Sequence, residues 1–264
     1  MTTLLEVAAL QMRFQGLVAL DDVSFTMESG SVTSVIGPNG AGKTTLFNCI
    51  TGMYRPTGGR VSFDGADITA MAAHQVSRHG VARTFQNLAL FSGLTVMDNL
   101  LVGAYRQGSS GLLQGALLTG RARAEQRTAV AAATEVLEFL SMPEAAGALP
   151  GELPYGRQKQ VEFARALMQK AKLVLLDEPM AGMSGAEKSA MTELIQRVRQ
   201  QYAMSFLIVE HDIPVIMDIS DKIVVLDFGR KIAEGTPHEV QANEAVIAAY
   251  LGTKHGPAVV AVPA

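Results

Sequence analysis

Disulfides, membrane-spanning runs and an excess of basic charge are what this sequence lacks. A single cysteine, Cys49, in 264 residues excludes an internal disulfide framework. It falls in a stretch expected to be helical and is expected to be a small buried residue rather than a reactive one. No apolar run reaches the roughly 18 residues a spanning helix needs. No basic-then-apolar leader opens the chain, so no export signal is expected. With 22 Lys and Arg against 25 Asp and Glu, a net charge of −3 and a pI near 6.0, the chain has no general nucleic-acid footprint, although a local basic patch could hide in that sum. What is present is apolar: 48% hydrophobic residues, a mean hydropathy of +0.20 and 13 methionines. A well-filled core and a face docked on another protein, such as a membrane protein, account for this about equally. A chain of this length buries about 70–75% of its unfolded surface, enough for one large domain or one domain with an inserted lobe.

The most informative stretch is Gly37-Pro38-Asn39-Gly40-Ala41-Gly42-Lys43-Thr44-Thr45. It fits the pattern G-x-x-x-x-G-K-[ST] in full, after an apolar strand-like run, Ser31 to Ile36, and before a run, Thr44 to Thr51, that can open a helix. Glycines at 37, 40 and 42 let the backbone turn sharply and offer successive N–H groups to phosphate oxygens. The helix start adds unpaired N–H groups and a positive dipole end. Lys43 would reach the β- and γ-phosphates of a bound nucleotide, and the Thr44 hydroxyl would sit on Mg²⁺.

Elsewhere strands and helices alternate. Leu4 to Phe14 and Ala19 to Met27 read as strands around Gln15-Gly16, and Arg60 to Phe63 with Asp64-Gly65 reads as a hairpin, so an antiparallel sheet is expected beside a parallel core. Thr69 to Gly80 reads as a short helix, Val81 to Gln86 as a strand and Thr95 to Leu101 as helical. Arg121 to Leu140 carries an apolar stripe at helical spacing, whereas Gln107 to Thr119 looks like a loose tip and Met142 to Pro154 like a linker. Gly156 to Lys170 and Ala186 to Tyr202 are expected helices. Leu173 to Asp177 and Ser205 to Glu210 are expected buried strands, followed by a short helix from Pro214 and a hairpin over Ile223 to Glu234. The fold class that follows is α/β, a P-loop nucleotide-binding core with a mostly parallel sheet, an N-terminal antiparallel β subdomain and an inserted helical subdomain.

Asp177-Glu178 ends an apolar strand, on the side of an α/β sheet where ligand groups gather. Asp177 suits the Mg²⁺ side, and Glu178 is placed to orient or deprotonate an attacking water. His211 ends the neighbouring strand and could contact a γ-phosphate or be merely structural. Gln86 has the same, weaker argument. Leu153 to Gln160 is a turn that opens a helix, a second anion cradle.

In this order the phosphate loop, Gln86, the Gly156 turn, Asp177-Glu178 and His211 resemble the ATPase subunit of an ABC transporter over about residues 4 to 252. Arg83 to Gln86, Leu153 to Gly156, Glu178 to Met183 and Ala248 to Gly252 resemble the importer ATPases for branched-chain amino acids. The resemblance implies ATP and Mg²⁺ as cofactors. Asn39 to Thr45 would hold the phosphates, Phe14 would stack on adenine, and Thr44, Gln86 and Asp177 would serve the metal. It makes Glu178 the catalytic carboxylate, assisted by Lys43, Gln86 and His211, with Tyr155 and Gly156 in the signature loop that closes on ATP held by an opposite subunit. Gly182 to Ser184 would lie at the dimer seam. The implied organisation is a nucleotide-binding core with its β subdomain in residues 1–86 and 156–252, a helical subdomain in 87–155 and a tail in 253–264. The implied partners are a head-to-tail mate, identical or homologous, two transmembrane permeases and an external solute-binding protein, with no nucleic acid. The implied location is the cytoplasmic face of the membrane. Relatives of lipid or lipopolysaccharide exporters and soluble non-transport ABC ATPases are the alternatives. Two departures stand out: Pro154 where the signature usually has Ser, and Ser184 where the seam commonly has Asp.

Overall fold

The computed structural model describes residues 2–84, 89–104 and 120–251. It opens with β1 (Thr3–Phe14) and β2 (Leu17–Glu28), antiparallel about Gln15-Gly16. Val23, Phe25 and Met27 point into the core while Thr26 and Glu28 are exposed, the alternation of a half-covered sheet. β3 (Val32–Ile36) is buried along its length and leads through the glycine loop into α1 (Lys43–Ile50). β4 (Gly58–Phe63) and β5 (Ala66–Asp67) form the expected hairpin, with Asp64 and Gly65 both at positive φ.

α2 (Ala73–Arg78) is shorter than the helix expected over Thr69 to Gly80, because Ile68 and Thr69 still bond to Val61 of β4 and delay the helix start. β6 (Val81–Arg83) is shorter than its expected span, and residues 85–88 lie outside the described residues. α3 (Val96–Ala104) and α4 (Gly120–Phe139) follow. The stretch expected to be a linker folds instead into two 3₁₀ turns, Pro143–Gly147 and Pro150–Glu152, each started by its proline. α5 (Tyr155–Leu167) stops short of Lys170, which takes a left-handed conformation (φ 49). Then come β7 (Leu173–Asp177), α6 (Gly185–Tyr202), β8 (Ser205–Val209), α7 (Ile213–Ile219), β9 (Lys222–Asp227) and β10 (Arg230–Gly235). α8 (Pro237–Gln241) and α9 (Glu244–Leu251) end the described chain.

The four-stranded sheet runs β2-β1-β4-β5 and is antiparallel. The six-stranded sheet runs β10-β9-β3-β8-β7-β6, parallel from β9 to β6 and antiparallel only at β10. Both faces of its centre are covered. Val174, Leu176, Phe206 and Ile208 pack toward the helical side with α5 and α6, while Leu173, Leu175, Leu207 and Val209 pack toward α1 and the antiparallel sheet. That double burial is why β7 and β8 read as continuous apolar runs. The central order β3-β8-β7 brings Gly37, Glu210 and Glu178, each just past its strand, to one edge of the sheet. Among the described residues no helix is long and apolar enough to cross a membrane.

Candidate active site

Gly42 caps α1 at φ 103, and a Cβ there would lie 2.7 Å from the Ala19 carbonyl oxygen. The loop backbone therefore packs against β2 at a spacing only glycine allows. No side chain caps α1, so the first-turn N–H groups of Lys43, Thr44 and Thr45 keep their unmet donor capacity. Asn39, Gly40 and Thr44 are exposed, while Ala41 and Lys43 are buried. Lys43 Nζ donates to the carbonyls of Gly37 (2.7 Å) and Pro38 (2.9 Å). Burial pulls its ammonium below the usual lysine value, and the charges of Glu178 and Asp177 act against that shift. An uncapped helix start, a run of backbone donors and a buried lysine fit a triphosphate. Among the described residues no three His, Cys, Asp or Glu gather to hold a metal by themselves. A threonine hydroxyl and an aspartate carboxylate, as at Thr44 and Asp177, are oxygen donors of the kind Mg²⁺ takes together with phosphate and water.

Asp177 is buried at the end of β7, and the Arg83 guanidinium donates to its Oδ2 at 2.6 Å. The same guanidinium donates to Asn48 Oδ1 on α1 at 2.6 Å, so one arginine ties β6, β7 and α1 together. Glu178 stands in a left-handed conformation (φ 49), rare for a residue with a side chain, and its N–H donates to the Val209 carbonyl. Its carboxylate accepts a hydrogen bond from His211 Nε2. Glu210, buried between them in sequence, accepts from the N–H of Met180 (2.8 Å) and of His211 (3.0 Å). Burial pushes the Glu210 carboxyl above its usual range, and those two N–H groups offset part of the rise. Asp212 caps α7 and pairs with Lys188 of α6 at 2.6 Å. The structure therefore brings Lys43, Asp177, Glu178 and His211 into one neighbourhood.

Tyr155 and Gly156 occupy a different place. Pro154 is the N-cap of α5 and offers no capping side chain. Tyr155 is exposed and its hydroxyl donates to the Ala181 carbonyl at 3.2 Å, while Gly156 is buried against Glu187 of α6. Phe14, half-exposed at the end of β1, meets the Tyr54 ring edge-on at 5.4 Å. Gln86 lies outside the described residues.

Four positions escaped the sequence reading: Arg83 in its pairing role, Glu210, Glu187 and Tyr250. Burial pushes the Tyr250 phenol up, and the Gly37 backbone nearby partly offsets it, so α9 ends beside the phosphate loop. The dipeptide Glu210-His211 after a buried strand was the available signal for the second, and the S-x-x-E spacing of Ser184 and Glu187 for the third.

A glycine loop feeding an uncapped helix, with two carboxylates and a histidine at the ends of adjacent parallel strands, defines a P-loop nucleoside triphosphatase. The profile of the family described as ABC transporter matches residues 20–181, and one described as branched-chain amino acid ATP-binding cassette transporter matches residues 230–256. The chain belongs to the ABC transporter ATPase family and is an ATP-hydrolysing subunit that binds ATP with Mg²⁺. It is 43% identical over 249 residues to the high-affinity branched-chain amino acid transport ATP-binding protein BraF of Pseudomonas aeruginosa, covering 94% of this chain and 98% of that one. To the similarly described LivG of Escherichia coli it is 41% identical over the same coverage. A crystal structure of the ADP conformation of an ATP-binding cassette from an ABC transporter superposes with a TM-score of 0.84 at 32% identity, covering 96% of this chain and 100% of that one.

Proposed function

We propose that this chain energises an ABC importer for branched-chain or related amino acids. The observation that carries the reading is the match of residues 230–256 to the branched-chain profile, joined to 43% identity with BraF over nearly the full length. The bound Mg²⁺ supplies charge neutralisation to the phosphates. Of the chain's own groups, Asn39 to Thr45 hold the phosphates, Thr44 and Asp177 face the metal, and Gln86 joins them. Glu178 orients and deprotonates the attacking water, held by His211, which also reaches the terminal phosphate; Lys43 meets the developing charge. Phe14 stacks on adenine. Tyr155 and Gly156 close on the nucleotide of a second, head-to-tail ATPase, identical or homologous.

In this reading residues 87–155 are the lobe that meets two transmembrane permeases at the cytoplasmic face, served outside by a solute-binding protein. Phe91, Leu94 and Val102 supply exposed apolar surface there, and Arg165 steadies that surface by donating to the Ala89 carbonyl. The test is the complex purified with its native membrane partners and reconstituted in vesicles. Wild type should drive ATP-dependent uptake of leucine, isoleucine or valine, and Glu178→Gln should lower phosphate release by at least about 100-fold while ATP still binds. Co-purification with a lipid-exporting membrane protein, or full turnover in Glu178→Gln, would overturn the reading.

A further inference from the structure

The N-terminal turn of α5, the face proposed to receive the partner's phosphate, is already in contact with an anion of its own chain. Glu187 Oε2 completes the cap of α6, accepting from the Ser184 N–H (2.8 Å) and hydroxyl (2.7 Å). Its other oxygen, Oε1, lies so near Gly156 that a Cβ added there would stand 2.4 Å from it. The two Ser184 bonds hold Glu187 below the usual carboxylate range, and the nearby Gly156 backbone adds a smaller pull in the same direction. Glycine at 156 is thus explained by the seat it leaves for Glu187. Pro154 adds nothing to the donors at this turn, because it has neither a hydroxyl nor an N–H. The amides of the α5 start are therefore the main attraction left for an incoming anion, and the Glu187 carboxylate already stands beside the one at Gly156.

We infer that Glu187 is an internal counter-anion that holds the Gly156 turn against α6 in the separated subunit and must yield Gly156 when the partner's terminal phosphate arrives. It is a positioning residue: it sets how much ATP is needed to close the two subunits and takes no part in the chemistry. α6 follows the Glu178-to-Ser184 loop directly, and Lys188, one residue on, pairs with Asp212 beside His211. Release of Glu187 would therefore be felt by the elements that carry Glu178 and His211.

The inference rests on the proposed trans contact at Gly156, and the experiment separates the two. Glu187→Gln keeps the S-x-x-Q capping pattern and removes the charge. In the ATPase complex it should lower the ATP concentration at half-maximal rate about 2- to 5-fold, the span expected for an anion at a helix start, with kcat changed much less. ATP affinity of the isolated chain should not move. Gly156→Asp plants a charge in the cradle and should abolish ATP-driven closure while ATP binding to the isolated chain persists. An unchanged half-maximal concentration in Glu187→Gln with closure lost in Gly156→Asp would overturn the Glu187 inference alone. Normal closure in Gly156→Asp would overturn the trans contact and the inference with it.

Discussion

The two phosphate-facing ends of this molecule are built on opposite plans. At the Lys43 end Lys43, Asp177 and Glu210 are buried, and the charged groups are answered within the chain: Arg83 meets Asp177, His211 meets Glu178, and two backbone amides meet Glu210. At the Gly156 end the turn is exposed at Tyr155, its cap position is a proline, and its anion comes from a neighbouring helix. The first end rests on three adjacent parallel strands, the second on the packing of α5 against α6. A site finished by its own sheet can bind ligand alone. A turn without acid, base or metal-facing group of its own gains a role only when another surface is brought to it.

The sharpest way to break the comparison is at Arg83. Arg83→Ala leaves Asp177 buried without the guanidinium that bonds its Oδ2, the Lys43 charge being the cation that remains in the neighbourhood, and a loss of about 3–5 kcal/mol is expected, read by chemical denaturation. A loss below about 1 kcal/mol would mean that water screens Asp177 and the Lys43 end is not closed as described. Glu210 sharpens the same point through pH. Its folded carboxyl titrates above the ordinary value, so between those two values the folded chain keeps a proton that the unfolded chain has released. Its contribution to stability therefore falls as pH rises through that window, by at most about 1.4 kcal/mol per pH unit. Subtracting the stability–pH curve of Glu210→Gln from that of wild type should isolate this slope; two parallel curves would refute it. The smallest effect is expected at the other end. Pro154→Ser should add a capping hydroxyl, stabilise by about 0.5–1 kcal/mol and change turnover only when two subunits meet. A shift in ATP affinity of the isolated chain would show that the two ends are not separate.

The sequence was most legible where the chain is buried on both sides. β3, β7 and β8 announce themselves as apolar runs because nothing polar faces them, and the loop after each strand inherits its place from the sheet. That Gly37, Glu178 and His211 follow strands ending at one edge of the sheet was therefore legible. Arg83 was readable as a residue but not as a partner, because its pairing with Asp177 depends on β6 lying beside β7. Glu210 was hidden by its neighbour, since a histidine after a strand draws attention and the buried acid before it looks like more surface charge. Glu187 carried a capping signal, but its second contact, with Gly156, exists only through helix packing that no local pattern encodes. The 3₁₀ turns after α4 escaped because prolines signal a break and a helical start alike.

Cys49 has a practical consequence. It is the only thiol in the chain, it is buried on the inner side of α1, and burial pushes it up to about 11, so little thiolate exists at neutral pH. Maleimides and spin labels should leave it alone in the folded protein. A new surface cysteine at Tyr155 or Asn39 would then carry a reporter on an otherwise silent background, and the separation of the two ends across a pair of subunits becomes a distance that spectroscopy can follow in real time.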